Sequence, residues 1–230
     1  MTQAISSHDV VFLFDVDNTL LDNDAVQQDL REHLTQTFGA ERQERYWQIL
    51  EELRGELGYV DYLGALQRYR VENLRDPHLL EISLYLVSYP FASRVYPGSF
   101  AALGHAQSLG QTAILSDGDV VFQPHKVERS GLWRAVGGNV LIYIHKEQML
   151  ADVEERYPAR HYVMVDDKLH ILAAMKRAWG TKLTTVFPKQ GHYAYDEHIL
   201  SSSPPADVQL ASIGDLTSFD LAALLSAARS

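Results

Sequence analysis

The stretch VVFLFDVDNT, residues 10–19, runs from five apolar residues directly into two carboxylates. An unbroken apolar run of this length is typical of a strand buried on both faces inside a parallel sheet. Asp15 and Asp17 then lie where the strand ends, which is where open α/β sheets bind ligands. Two carboxylates so close repel each other unless a cation or a proton lies between them. The alternative is an Asp/Asn turn that closes a core strand, since both residues are common in turns.

The composition excludes several classes of protein and site. The 230 residues contain no cysteine, so neither a disulfide nor a thiolate metal site can form. A net charge of −10 argues against a nucleic-acid partner, which requires a basic face. We find no signal-peptide pattern and no apolar run near the roughly 20 residues that span a bilayer. We therefore expect a cytoplasmic protein without a membrane or nucleic-acid partner.

The segment that follows the first strand has helical periodicity. Asp24 is predicted to cap a first helix that ends at Gly39. Two further helices are predicted at 41–57 and 60–74, and a fourth opens at Asp76, with a proline at its first helical position. These four helices predict a small helical domain inserted after the first strand.

From residue 100 onward, the pattern alternates between helices and short apolar strands. The later strands are predicted at 112–116, 140–144, 162–165 and 183–187, and a last helix at 216–228. This alternation predicts an α/β fold with a doubly wound parallel sheet. Residues 1–21 and 93–230 would form that core, and residues 22–92 the inserted helical domain.

Polar side chains, four carboxylates, one hydroxyl and one ammonium, follow the predicted strands. They are Asp15 and Asp17, Ser116, Lys146, and the pair Asp166 and Asp167. Because the carboxyl ends of parallel strands share one edge, we expect these side chains to converge. Converging carboxylates require a hard cation, and oxygen-only ligation suits Mg²⁺. With Mg²⁺ and a lysine present, a phosphoryl group can be held beside a carboxylate nucleophile.

In their order and position these residues resemble the four motifs of the haloacid dehalogenase-like (HAD) superfamily. The resemblance covers residues 9–21 and 93–190, and the insertion at 22–92 stands where that family has its helical C1 cap. It implies a Rossmann-like core with a cap domain. Each motif alone is weak, but the ordered set, each member after an apolar strand, is specific.

The resemblance also implies catalytic roles. Asp15 would be the nucleophile that takes the phosphoryl group. Asp17 would be the general acid for the leaving oxygen and then the general base for water. Ser116 would bind a phosphoryl oxygen, assisted by backbone N–H groups near Asp117. Lys146 would offset the charge on the nucleophile and the phosphoryl group.

The metal ligands and the identity of the lysine are less completely specified. By resemblance, Mg²⁺ would be bound by Asp15, by the Asp17 carbonyl and by Asp166 or Asp167. The third motif commonly reads Lys-Pro, whereas here Lys146 is followed by Glu147. Lys126 is a rival in a helix with the periodicity of a packed face. We favour Lys146, because it comes directly after a predicted strand.

The presence of Asp17 selects among the chemistries of the superfamily. Its dehalogenases lack this residue, since a departing halide needs no proton, whereas the alkoxide of a phosphate ester does. We expect a phosphatase acting on a small phosphorylated metabolite, as a monomer or homodimer, with Arg54 and Tyr59 of the insertion as candidate substrate contacts. A phosphomutase remains the nearest alternative. A dehalogenase, a receiver-like signalling domain and a non-catalytic binding protein are weaker ones.

Overall fold

A computed structural model describes residues 9–221 of the chain, and the opening strand is central to it. Within these residues, six parallel strands form one sheet in the order β3-β2-β1-β4-β5-β6. The strands are β1 (Val10–Phe14), β2 (Gln111–Asp117), β3 (Val140–Tyr143), β4 (His161–Val165), β5 (Leu183–Pro188) and β6 (Val208–Leu210). The predicted doubly wound parallel sheet is confirmed, and β6 is an edge strand that the sequence pattern did not predict.

The burial of β1 fixes where its carboxyl end lies. All five of its side chains are at most 1% exposed. Phe12 and Phe14 pack on one face of the sheet, and Val11 and Leu13 on the other. Burying side chains of this size contributes about 1.5–3 kcal/mol each. Phe14 pairs with a residue of β2 and with Val165 of β4, so the residues after these strands meet at one edge.

Ten α-helices accompany the sheet within residues 9–221. They are α1 (Asn23–Phe38), α2 (Ala40–Leu57), α3 (Tyr62–Glu72), α4 (Leu79–Ser88), α5 (Ser99–Leu109), α6 (Phe122–Arg129), α7 (Leu132–Ala135), α8 (Leu150–Arg156), α9 (Leu169–Trp179) and α10 (Glu197–Ser202). Most of the final helix predicted at 216–228 lies outside the described residues, and its described beginning is part of a 3₁₀ turn, Ile213–Thr217. No helix within residues 9–221 has both the length and the apolar character needed to cross a membrane.

Helices α1–α4 form the insertion between β1 and α5. The chain enters and leaves it side by side: Leu21 pairs with Val95 in an antiparallel bridge. The Asp22 N–H also donates to the Arg94 carbonyl at 2.8 Å. The division of the chain at residues 22–92 remains a prediction. The paired connections lie at its two ends and place the inserted helices over the carboxyl edge of the sheet.

Two of the predicted helix starts are wrong because nearby side chains compete for the capping aspartates. Asp22, not Asp24, caps α1 by accepting a hydrogen bond from the Ala25 N–H at 2.9 Å. The helix predicted to open at Asp76 begins instead at Leu79. One oxygen of Asp76 accepts from the His78 N–H, and the other from side chains of the neighbouring helices, which holds the segment in a turn.

Candidate active site

A tight turn after β1 presents the first two aspartates. Asn18 has φ = 60°, a left-handed conformation that Asn tolerates better than most residues. Its Oδ1 accepts hydrogen bonds from the N–H groups of Asn23 and Asp24 at 3.0 and 3.1 Å, at the start of α1. Gly191 packs against this turn, where an added Cβ would lie 2.5 Å from the Asn18 Cβ. The turn thus joins the end of β1 to the first inserted helix.

Asp15 lies at the centre of the converged groups. It is 2% exposed, and its Oδ1 accepts from the Lys146 ammonium at 2.6 Å and from the Ser116 hydroxyl at 3.1 Å. Burial alone would raise the pKa of Asp15, but the ammonium groups of Lys146 and Lys168 outweigh it and hold the pKa below its usual value. Asp15 is therefore an ionised carboxylate inside the protein.

Lys146 rather than Lys126 faces Asp15. β3 ends at Tyr143, one residue before the predicted end of the strand, and Lys146 opens a short 3₁₀ segment that follows it. The backbone N–H of Lys146 donates to Asp117 Oδ1 at 2.7 Å, which holds this segment against β2. Burial would lower the pKa of Lys146, but the facing carboxylates, Asp15 first, raise it above its usual value. Lys146 therefore stays charged although it is fully buried.

Asp166 and Asp167 follow β4 and complete an acidic cluster with Asp15. Carboxylate oxygens of the three residues lie within 4.8 Å of one another. The pKa of Asp167 is raised well above its usual value and that of Asp166 is raised, in both cases mainly by burial. The arrangement places three carboxylates beside two ammonium groups, those of Lys146 and Lys168.

The two members of the acidic pair differ in their partners. Asp166 lies 2.6 Å from the Lys146 ammonium, an ion pair without hydrogen-bond geometry, and accepts from the Lys168 N–H at 2.8 Å. Both carboxylate oxygens of Asp167 are buried and have no hydrogen-bond partner within residues 9–221. A buried, unpartnered carboxylate beside two others fits an oxygen-ligated cation. Asp167 is accordingly the better candidate for direct contact with a metal.

A cavity of about 310 Å³ opens between the inserted helices and the core. Asp17 and Asp117 line it from the core, and Arg54 and Tyr59, the two predicted substrate contacts, line it from the insertion. Arg54 also donates a hydrogen bond to the Tyr193 hydroxyl at 3.0 Å across the cavity. Four of the sequence-predicted site residues thus line the cavity. The other five are buried beside it, where the Lys146 N–H donates to Asp117; they are Asp15, Ser116, Lys146, Asp166 and Asp167.

The chain matches the family model of haloacid dehalogenase-like hydrolases over residues 10–178. It belongs to this family of hydrolases. A solved structure from Burkholderia xenovorans LB400, described as a haloacid dehalogenase-like hydrolase, is 67% identical. The similarity covers 93% of this chain and 99% of that one, with a TM-score of 0.88. The superfamily resemblance seen in the sequence is confirmed.

More distant structures share the fold of this HAD-like hydrolase. The L-2-haloacid dehalogenase of Xanthobacter autotrophicus is 16% identical over 90% of this chain and 96% of its own, with a TM-score of 0.59. A HAD hydrolase of Bacillus subtilis, solved with bound magnesium, is 15% identical over 92% and 98%, with a TM-score of 0.58. No curated protein matches the chain. At these identities only the fold is shared, and the chemistry of this chain has to be inferred from its own residues.

Several residues of the hydrolase site were missed at the sequence level. Lys168 lines the cavity and contributes to the low pKa of Asp15. Its place directly after the two aspartates was a usable signal. His145 also lines the cavity, and its place directly after the predicted strand at 140–144 was a comparable signal, whereas Tyr193 lies in a segment without periodicity. Lys126 was noticed, but its partner is Asp17, at 2.8 and 2.9 Å from the two carboxylate oxygens.

Proposed function

We propose that this HAD-like hydrolase is a Mg²⁺-dependent phosphomonoester hydrolase that acts on a small phosphorylated metabolite through an aspartyl-phosphate. The observation that carries the proposal is the Asp15 carboxylate, paired with Lys146, beside the unpartnered carboxylate of Asp167. Both are buried next to a cavity that Asp17 and Lys168 line. A nucleophile, a cation site and a proton donor are thereby available to one phosphoryl group.

The chemistry takes place in two displacements. In the first, an Asp15 oxygen forms a bond to phosphorus while the bond from phosphorus to the ester oxygen breaks. Asp17 gives its proton to that oxygen, and the alcohol leaves. In the second, water attacks phosphorus and gives a proton to the Asp17 carboxylate, while the bond from Asp15 to phosphorus breaks. Inorganic phosphate leaves, and both aspartates return to their starting states.

Neutralisation of charge is the main contribution of the remaining groups. The Lys146 ammonium stays on Asp15 Oδ1 and offsets the charge of the incoming phosphoryl group. The Ser116 hydroxyl donates a hydrogen bond to Asp15 at 3.1 Å, and from this position it could donate to a phosphoryl oxygen instead. Mg²⁺ would be held by Asp15, Asp167 and the Asp17 carbonyl, and when bound it supplies charge neutralisation at the phosphoryl oxygens.

Asp17 supports ester hydrolysis rather than halide displacement. Its side chain is 25% exposed and lines the cavity, where a leaving alkoxide would need a proton. A leaving halide requires no such group. Arg54 and Tyr59 are proposed to contact the part of the substrate that departs, because both lie on the inserted side of the cavity. The cytoplasmic location, the lack of macromolecular partners and the monomeric or dimeric state stay predictions.

A panel of phosphorylated metabolites, incubated with the protein and Mg²⁺ and scored for free phosphate, tests the proposal. We expect release from at least one ester, loss of release with a chelator, and recovery on adding Mg²⁺. Scoring the isomer of a sugar phosphate in the same samples separates a phosphatase from a phosphomutase. If the folded, Mg²⁺-loaded protein turned over no phosphoester, the proposal would be wrong.

Magnesium is expected to stabilise the wild-type protein against heat but not Asp167→Asn. A ligand at about 100 times its dissociation constant raises the free energy of unfolding by about 2.7 kcal/mol. For a chain of this size, that increase raises the melting temperature by about 5 °C or more. Asp167→Asn removes the unpartnered carboxylate, so a shift below about 1 °C is expected. Thermal melts with Mg²⁺ and with chelator measure it. Asp196→Asn, an exposed helix cap, should keep the wild-type shift.

A further inference from the structure

Lys126 is a buried lysine outside the predicted motifs. It lies on α6, is 1% exposed, and directs its ammonium at three oxygens. Two belong to Asp17, at 2.8 and 2.9 Å, and the third is Asn23 Oδ1 at 2.9 Å. An ammonium has three N–H groups, so each is matched by one acceptor. Burying an ammonium is costly unless it is paired in this way.

The partner of Lys126 is a group that faces the cavity, which distinguishes this pair from an ordinary buried ion pair. The side chain of Asp17 is 25% exposed, whereas the side chain of Lys126 is 2% exposed. The lysine thus approaches Asp17 from inside the protein and leaves the cavity side of the carboxylate open. Its position fixes the direction in which that carboxylate points.

A second residue of α6 acts on the same groups. Gln123, one helical turn before Lys126, donates through Nε2 to Asp17 Oδ2 at 3.4 Å and to Ser116 Oγ at 3.1 Å. Residues three apart lie on one face of a helix. Gln123 and Lys126 on this face of α6 therefore hold the side chains of Asp17, from the first motif, and Ser116, from the second.

Asn23 connects the same lysine to the inserted helices. It is the first residue of α1, and its backbone N–H is held by Asn18 in the turn after β1. Lys126 therefore joins Asp17, on the core, to the residue where the insertion begins. A shift of α1 would move one of the three acceptors on which the Lys126 ammonium depends.

We propose that Lys126 is a positioning residue for Asp17: it holds this carboxylate in the direction needed to deliver a proton to the leaving oxygen. The inference rests on the proposed phosphatase function. Because Lys126 acts through Asp17, its loss matters most where proton delivery is needed. The ester oxygen of an alkyl phosphate needs that proton, whereas p-nitrophenolate is stable enough to leave without it.

The test compares kcat/KM for two esters in the presence of Mg²⁺. One is the alkyl phosphate turned over fastest in the metabolite panel, and the other is p-nitrophenyl phosphate. In Lys126→Met we expect a loss of about 100-fold for the alkyl ester, the lower end of general-acid effects, and of less than about 5-fold for the aryl ester. Lys126→Gln, which keeps a hydrogen-bond donor in the buried position, should show the same selectivity if the Met variant does not fold.

A double-mutant cycle with Asp17→Asn separates positioning from a structural role. Asp17→Asn alone should also affect the alkyl ester more, and adding Lys126→Met should then change kcat/KM by less than about 3-fold. Lys182→Met, which removes a lysine from an exposed ion pair, is the matched control and should keep wild-type activity on both esters.

The outcomes that contradict the inference differ from those that contradict the function. Equal losses on the two esters, or losses that multiply with Asp17→Asn, would show that Lys126 supports the fold and not proton delivery. Wild-type protein that hydrolyses neither ester would overturn the proposed function, and the inference with it.

Discussion

Asp15→Asn is expected to lower kcat for the fastest phosphoester by at least about 10⁴-fold, the scale seen when a nucleophile is removed. An amide oxygen does not attack phosphorus at a useful rate, and no other carboxylate accepts both Lys146 and Ser116 hydrogen bonds within residues 9–221. Steady-state release of phosphate measures the effect. Intact-mass analysis after rapid acid quench should show one added phosphoryl group on wild-type protein and none on Asp15→Asn.

The fold should survive this substitution, which makes the loss interpretable. Lys146 keeps its ion pair with Asp166, so its ammonium is not left without a counter-charge. Asp196→Asn makes the same change of atoms at an exposed helix cap and should retain full activity. Residual activity above about 1% in folded Asp15→Asn would contradict Asp15 as the nucleophile.

Lys146→Met is expected to damage stability and activity together. Removing one partner of a buried pair costs about 3–5 kcal/mol, because the remaining charges are uncompensated. Here Asp15 and Asp166 would both lose an ammonium at 2.6 Å. We expect the free energy of unfolding in urea to fall by that amount, and kcat to fall by about 10³-fold from lost charge neutralisation.

Lys182→Met is the comparison for Lys146→Met. Lys182 pairs with Glu154 at 2.7 Å, but both side chains are about 40% exposed. Surface pairs of this kind contribute about 0–1 kcal/mol. A loss of stability in Lys146→Met no larger than that in Lys182→Met would mean that the buried ammonium is not the counter-charge of the acidic cluster.

Much of the core was predictable because its signals are local. The apolar run of β1 specified a strand buried on both faces, and the later strands repeated that pattern. Once the strands are parallel, the residues after them share an edge, which predicted the meeting of Asp15, Ser116 and Asp166. Most of the site residues could therefore be predicted from their positions at the ends of strands.

Other features depended on partners far away along the chain. Asp24 was expected to cap α1, but it binds Asn18 and the distant His192 instead, and Asp22 provides the cap. Within residues 9–221, the short edge strand β6 pairs only with β5, and it has too few residues for a period-two signal. For Asp24 a tertiary contact outweighed a local preference, whereas for β6 the local signal was too short to detect.

The two lysines mark the boundary between sequence and tertiary structure most clearly. The sequence by itself determined the parallel core, the inserted helices and the acidic residues that follow the strands. Their signals, apolar runs and periodicity, depend on residues that are near one another along the chain. The sequence supplied both Lys126 and Lys146 without determining their partners. Only the packed structure placed Lys146 on Asp15 and Lys126 on Asp17, since the 3₁₀ turn held by Asp117 and the inward face of α6 aim the two ammonium groups at different carboxylates.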